Sequence, residues 1–178
     1  MSKLHVQLTG LCTPGSFLQS GTFGTALAPT STEGDLFAPS RCDTSDGFTY
    51  VTSDEASACI LASSLAMSPD GAAAFCFNLG AHLFVARTKE KLQLLPHDNG
   101  YIVGLSDVAV EGTFVWQDNG EQITDVYKLQ FFNPAEPNNS GVGEDCVVVT
   151  NVTTMLSGND IPCNFVYWMV ACERPVYG

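Results

Sequence analysis

From Glu136 to Cys146 the chain reads Glu-Pro-Asn-Asn-Ser-Gly-Val-Gly-Glu-Asp-Cys, setting three carboxylates and two amides within ten residues. Farther on, Asn159-Asp160-Ile161-Pro162-Cys163 adds another amide, another carboxylate and a second cysteine. Upstream, Asp107 and Glu111 form an Asp-x-x-x-Glu pair that no strand pattern requires. Hard divalent cations such as calcium take their ligands from oxygen-rich loops of this kind. Gly141 and Gly143 let the backbone fold tightly enough to bring such ligands together. On residue types alone, the stretch also fits a solvated acidic loop with an Asx turn. An EF-hand is excluded, because no D-x-[DN]-x-[DN]-G loop with a closing Glu is present.

The wider composition narrows the class. At 178 residues the chain fits one domain with a real core, and 45% hydrophobic against 15% charged residues is a globular composition. Asp and Glu number 19 against 7 Lys and Arg, a formal charge of −12, which opposes a phosphate-backbone partner. The same acidity also serves plain solubility. No apolar run approaches the roughly 18 residues needed to span a bilayer, so membrane insertion is not expected. The N-terminus does not read as a signal peptide, since His5 and Gln7 interrupt the apolar Leu4, Val6 and Leu8. A mature or re-started form is therefore the expectation. No nucleophile–base pairing and no nucleotide loop is visible, so an enzyme is not expected. His82 reads as a core or helix-end residue, and Trp116 and Trp168 read as core residues on strands.

Seven cysteines stand at positions 12, 42, 59, 76, 146, 163 and 172. None has zinc-ligand spacing with another cysteine or with His5, His82 or His97. Disulfides in an oxidising compartment are the better reading, and the sequon Asn151-Val152-Thr153 agrees with a secreted or extracellular protein. One cysteine is left over. Cys12 is the candidate for a free or intermolecular thiol, through which a homo-oligomer could form.

Several elements must position the acidic groups. Residues 1–41, rich in Gly, Ser, Thr and Pro, read as an N-terminal extension to a domain spanning 42–178. Ser68 as N-cap and Pro69 at the first helical position predict a helix through an Ala-rich body to Leu79, closed by Gly80. Thr88 opens a second short helix to about Leu95, where Pro96 stops it. Strands are expected at 101–105, 113–116, 147–149 and 165–171, with a turn at Asp118-Asn119-Gly120. Residues 133–145 form a long polar loop, a length that is usually functional in a compact domain. The plan is α+β.

These pieces resemble the C-type lectin-like domain in its mannose-type, Glu-Pro-Asn form. The resemblance runs from about Cys42 to Arg174, around three quarters of the chain. It is carried by Phe75-Cys76 with Gly80-Ala81-His82-Leu83, by Val103 to Asp107 and by Glu136-Pro137-Asn138. Gly143 to Val147, Asn159 to Cys163 and Ala171-Cys172-Glu173 complete the order. The resemblance implies the family fold, two helices with short antiparallel sheets and a long calcium-binding loop. It implies disulfides Cys76–Cys172 and Cys146–Cys163, and in the long form of the domain Cys42–Cys59.

It further implies a principal calcium site made by Glu136, Asn138, Glu144, Asn159 and Asp160. An accessory site is suggested by Asp107, Glu111, Asn139, Glu144 and Asp145. Sugar would bind through Glu136, Asn138, Glu144 and Asn159, with Pro137 in a cis peptide. The acid-then-amide order goes with mannose, fucose, N-acetylglucosamine or glucose, and the reverse order with galactose. Two positions depart from the family's pattern. Gly158 stands where a tryptophan usually precedes the Asn-Asp pair, and Phe131 or Phe132 replaces the tryptophan expected before the loop. Asn138 also heads a sequon, where a glycan would block the site, so it is expected to be unmodified. The rival reading is a calcium-stabilised domain of the same fold used for protein or ice-surface recognition.

Overall fold

A computed structural model of the chain describes residues 42–141, 143–152 and 155–177. The N-terminal extension and the thiol of Cys12 lie outside the described residues.

After a 3-10 turn at Ser45–Gly47, a hairpin forms from β1 (Thr49–Thr52) and β2 (Ser57–Met67). Helix α1 (Pro69–Asn78) follows; Ser68 Oγ accepts from the Gly71 amide at 3.3 Å, and Gly80 takes the left-handed φ of 65° that ends the helix. β3 (His82–Leu83) leads to α2 (Lys89–Leu92), capped by Thr88 Oγ1 accepting from the Lys91 amide. Then come β4 (Tyr101–Ser106), β5 (Val115–Trp116), α3 (Asp125–Phe131), β6 (Cys146–Val152), β7 (Met155–Ile161) and β8 (Trp168–Arg174). The main path of the sheet runs β1-β2-β8-β4-β6-β7, with β3 on β8 and β5 on β4.

The α+β class and the lectin-like plan hold, with local corrections. Helix α2 stops at Leu92, three residues early, because Leu92 and Leu95 both bury and the chain turns between them. The strand expected from Phe165 starts at Trp168; Phe165, Val166 and Tyr167 are exposed and bridge β7 to β8. The strand expected over 113–116 is paired only at Val115 and Trp116. A third helix, α3, was not expected; the β1–β2 hairpin with its Cys42–Cys59 bridge is the N-terminal hairpin of the long form of the domain. β4 and β8 pair in parallel, so the sheet is mixed.

The core lies on both faces of that sheet. One cluster gathers Phe84, Leu92, Leu95, Phe114, Trp116, Phe131 and Phe132; the other gathers Cys76, Leu83, Ile102, Val148 and Val170. Trp116 is buried as expected, whereas Trp168 is only partly covered. His82 is half-buried at the start of β3, its Nδ1 2.8 Å from the Leu83 carbonyl. Disulfides join Cys42 to Cys59, Cys76 to Cys172 and Cys146 to Cys163. They are the three pairs the resemblance implies.

Candidate functional site

The ends of three neighbouring strands carry the acidic residues to one edge of the sheet. β4 ends at Ser106, which pairs with Cys146 at the start of β6 and is followed by Asp107. β6 and β7 run antiparallel with Val147 opposite Asp160 and Val148 opposite Asn159. The Cys146–Cys163 bridge ties this end shut. Against it lies the loop of residues 133–145, entered from α3 and left into β6.

Asp160 holds the loop. Its carboxylate is 1% exposed and accepts from two consecutive loop amides, Asn138 at 3.1 Å and Asn139 at 2.8 Å. The Glu136–Pro137 peptide between α3 and these amides is cis. Beyond them the loop closes on itself: Ser140 N donates to Glu144 Oε2 at 2.7 Å, and Glu144 N to Asn139 Oδ1 at 2.9 Å. Asn139, Gly141 and Gly143 take positive φ, and the glycines make two of those turns without strain.

Three carboxamides then meet acids. Asn138 Nδ2 donates to Glu136 Oε2 at 2.6 Å, and Asn139 Nδ2 donates to Glu111 Oε2 at 2.6 Å. The Asn159 carboxamide reaches both Glu136 oxygens at 2.9 and 3.1 Å. With its nitrogen towards Glu136 it donates two hydrogen bonds. With its oxygen there, carbonyl and carboxylate oxygens face one another, an approach that a cation between them makes favourable.

The electrostatics point the same way. Burial, then the neighbouring carboxylates of Asp160 and Glu144, push the Glu136 carboxyl above the usual carboxylate range, with the Asn138 N–H opposing. Asp107 is 1% exposed and is raised by burial and by Asp145 and Asp160, against a 2.8 Å bond from the Gly112 amide to its Oδ2. Its Oδ1 is buried without a hydrogen-bond donor among the described residues. Glu111 is raised by desolvation and by Asp107, Asp145 and Asp160. The salt bridges formed among the described residues go elsewhere, to Arg87, Lys91 and Arg174. Packed carboxylates of one sign, with an orphaned buried oxygen, are what a divalent cation relieves.

Both ligand sets assembled on the sequence fall in this region: Glu136, Asn138, Glu144, Asn159 and Asp160 around the loop, and Asp107, Glu111, Asn139, Glu144 and Asp145 on its other flank. Among the described residues no group of three or more Asp, Glu, His or Cys side chains is arranged to hold a metal unaided. The sets therefore depend on their amides. Turning a carboxamide over exchanges donor for acceptor, so Asn138 and Asn159 can each present oxygen or N–H at Glu136, whereas Asn139 is held at both ends, its Nδ2 on Glu111 and its Oδ1 on the Glu144 amide. On that chemistry the residues fit calcium. Two contributors were not legible in the sequence: the Ser140 backbone amide, and the bracing of the loop backbone by Asp160.

The replaced tryptophans have a packing explanation. A Cβ on Gly158 would lie 2.4 Å from Phe131 Cε1 and 3.2 Å from Phe132 Cδ1, so the phenylalanine rings occupy the space a side chain at 158 would need. Phe132 also pairs with Gly158 as a parallel bridge, and Asn133 N donates to the Gly158 carbonyl at 2.9 Å. The loop thus leaves α3 already fastened to β7, one residue before Asn159.

The fold, with its three disulfides and an acid- and amide-rich loop braced on β7, defines the class, and comparison with known proteins gives the family. The chain belongs to the C-type lectin domain family, whose profile (Lectin C-type domain) matches residues 65–174. It is 35% identical over 106 residues to mouse C-type lectin domain family 4 member E, covering 56% of this chain and 47% of that protein. The chain thus spans about half the length of that curated relative. Among solved structures, the carbohydrate-recognition domain of cow CD23, determined in the presence of a GlcNAc2Man3 oligosaccharide, superposes with a TM-score of 0.62 at 25% identity, covering 75% of this chain and 96% of that one. A calcium-independent type II antifreeze protein shares the fold at a TM-score of 0.60 and 22% identity, over 74% of this chain and 94% of its own. Domains of this family are extracellular binding modules and not enzymes. No helix among the described residues is long and apolar enough to cross a membrane.

Proposed function

We propose that this domain binds carbohydrate through protein-held calcium, with preference for mannose-type sugars: mannose, fucose, N-acetylglucosamine and glucose. The observation that carries the reading is the meeting of Glu136 with both Asn138 and Asn159, an acid flanked by two amides at 2.6 to 3.1 Å. Glu136, Asn138, Glu144, Asn159 and Asp160 would hold the principal ion. Asp107, Glu111, Asn139, Glu144 and Asp145 would hold an accessory one.

Bound calcium supplies a centre of high coordination number, with positions left for two vicinal hydroxyls. The chain's own residues do the sorting. Glu136 and Glu144 accept hydrogen bonds from those hydroxyls, while Asn138 and Asn159 donate to them. The acid-then-amide order of Glu136 and Asn138 supports the mannose-type geometry over the galactose-type one. Asp160 stays with the backbone of Asn138 and Asn139, keeping the loop in position. A single open polar site of this kind binds one sugar weakly, so useful binding comes from multivalency. Secretion follows as part of the same proposal.

Retention on mannose-agarose tests it. The protein should be held with calcium and released by EDTA. Flow-through in the presence of calcium, with no signal on a glycan array, would overturn the sugar reading in favour of protein or ice-surface recognition on the same fold. The antifreeze likeness is one of fold alone.

A further inference from the structure

We infer that Asn151 is an N-glycosylation site, and that its glycan stands at the far end of β6 from the calcium loop. The chain carries two Asn-x-Ser/Thr sequences, Asn138-Asn139-Ser140 and Asn151-Val152-Thr153. The structure separates them. Asn151 is exposed and sits where β6 and β7 pair beyond the last β4 partner: β4 reaches only Val149, whereas Asn151 faces Leu156 alone. Among the described residues its Nδ2 donates to the His97 carbonyl at 2.8 Å.

A side-chain amide has two N–H bonds. Transfer from a polyisoprenyl-diphosphate-linked oligosaccharide breaks the bond between the anomeric carbon and the diphosphate oxygen and forms a carbon–Nδ2 bond. The diphosphate leaves, and Nδ2 loses one proton. The second N–H remains for the His97 carbonyl, so the modification does not consume that bond. Bulky polar glycans belong on such surface positions. Exposed Met155, paired with Val152 at the same hairpin end, is apolar surface that the glycan would shield.

Asn138 is exposed too, but its setting differs. Its Nδ2 lies 2.6 Å from Glu136, its backbone N–H is held by Asp160, and it belongs to the loop that must close on Glu144. A glycan there would stand in the site itself. From Cys146 to Asn151 is five residue steps of strand, roughly 17 Å. A glycan on Asn151 therefore leaves the loop open, and this holds whether or not the loop binds sugar.

The test is to express the full chain behind a cleavable secretion signal in eukaryotic cells. Medium and lumenal fractions are then treated with peptide N-glycosidase in 18O water. The expected result is one mobility shift on treatment, and an 18O-labelled Asp at position 151 with unmodified Asn at 138. Asn151→Gln should abolish the shift. Thr153→Ala, which keeps Asn151 and its His97 bond, should abolish it too. An unshifted wild-type protein in both fractions, a shift that survives both variants, or label at 138 instead of 151 would overturn the inference.

Discussion

At the scale of single residues, Gly158 shows how packing accommodates a departure from the family's pattern. A glycine preceding Asn159 looks, in the sequence, like a missing support. In the fold its lack of a side chain admits Phe131 and Phe132, which fill the place from the other side of the contact. Gly158→Ala would therefore force its Cβ into the Phe131 ring, and overpacking of this kind costs about 1–3 kcal/mol. Phe131→Ala should cost more, about 3–5 kcal/mol, through the cavity it leaves. Because the two share one space, the double variant should lose less than the sum of the singles in a denaturant titration. Strict additivity would mean the glycine is not there for the ring. A second prediction at this scale concerns specificity. Exchanging acid and amide with Glu136→Gln and Asn138→Asp reverses which of these two side chains donates and which accepts. Preference on a glycan array should move from mannose towards galactose. Unchanged preference would mean that these two side chains do not set it.

At the scale of elements, the two disulfides that close short loops do different work. Cys42–Cys59 and Cys146–Cys163 each span 17 residues, so chain entropy gives both about 3 kcal/mol. Only the second joins the start of β6 to the chain just past Asp160. Replacing both cysteines of either pair by serine should lower stability similarly in the absence of calcium. Only the Cys146/Cys163 variant should also lose part of its calcium-induced rise in Tm, read by thermal unfolding with and without the ion. Equal calcium responses in the two variants would mean that the bridge does not organise the site. The elements also show what local signals reveal. Helix α1 was legible because Ser68, Pro69 and Gly80 punctuate it with residues whose local conformation is nearly decided. Helix α3 was not. Thr124 caps it, accepting from the Tyr127 amide at 3.1 Å, and Tyr127 and Phe131 face the core. However, Val126 and Leu129, 68% and 85% exposed, scramble the apolar period that marks an amphipathic helix. The strand expected from Phe165 failed for a related reason: an apolar β-like run does not reveal that its first three residues face solvent. The proposed ligand residues were readable as types in order along the chain. Their convergence was not, because it depends on register between β6 and β7 and on backbone amides that every residue possesses.

At the scale of the whole molecule, the excess of 19 acids over 7 bases is spread unevenly in its consequences. Arg87, Lys91 and Arg174 pair with acids away from the loop, while Asp107, Glu111 and Glu136 are raised by desolvation and then by neighbouring acids: Asp145 and Asp160 on Asp107, those two and Asp107 on Glu111, and Asp160 and Glu144 on Glu136. Raised carboxyl pKa values mean that the fold binds protons at these groups more tightly than the unfolded chain does. In the metal-free protein their contribution to stability therefore grows as pH falls through the raised values towards the ordinary carboxylate range, and declines as pH rises. Calcium needs the same groups ionised, so protons and metal compete. At neutral pH, calcium at about a hundred times its dissociation constant adds roughly 2.7 kcal/mol, or roughly 5–10 °C of Tm for a domain of this size. That increment should shrink steadily as pH is lowered from about 7.5 to about 5, while the EDTA-treated protein loses none of the contribution from these three groups over the same range. Thermal unfolding across that series, with calcium and with EDTA at each pH, measures both quantities together. An increment that stays constant or grows towards acid would mean that calcium binds elsewhere, and that Glu136, Asp107 and Glu111 are simply a solvated acidic loop. Shrinkage confined to variants that retain all three acids, and absent in Asp107→Asn, would tie the competition to this cluster and not to the net charge of the chain.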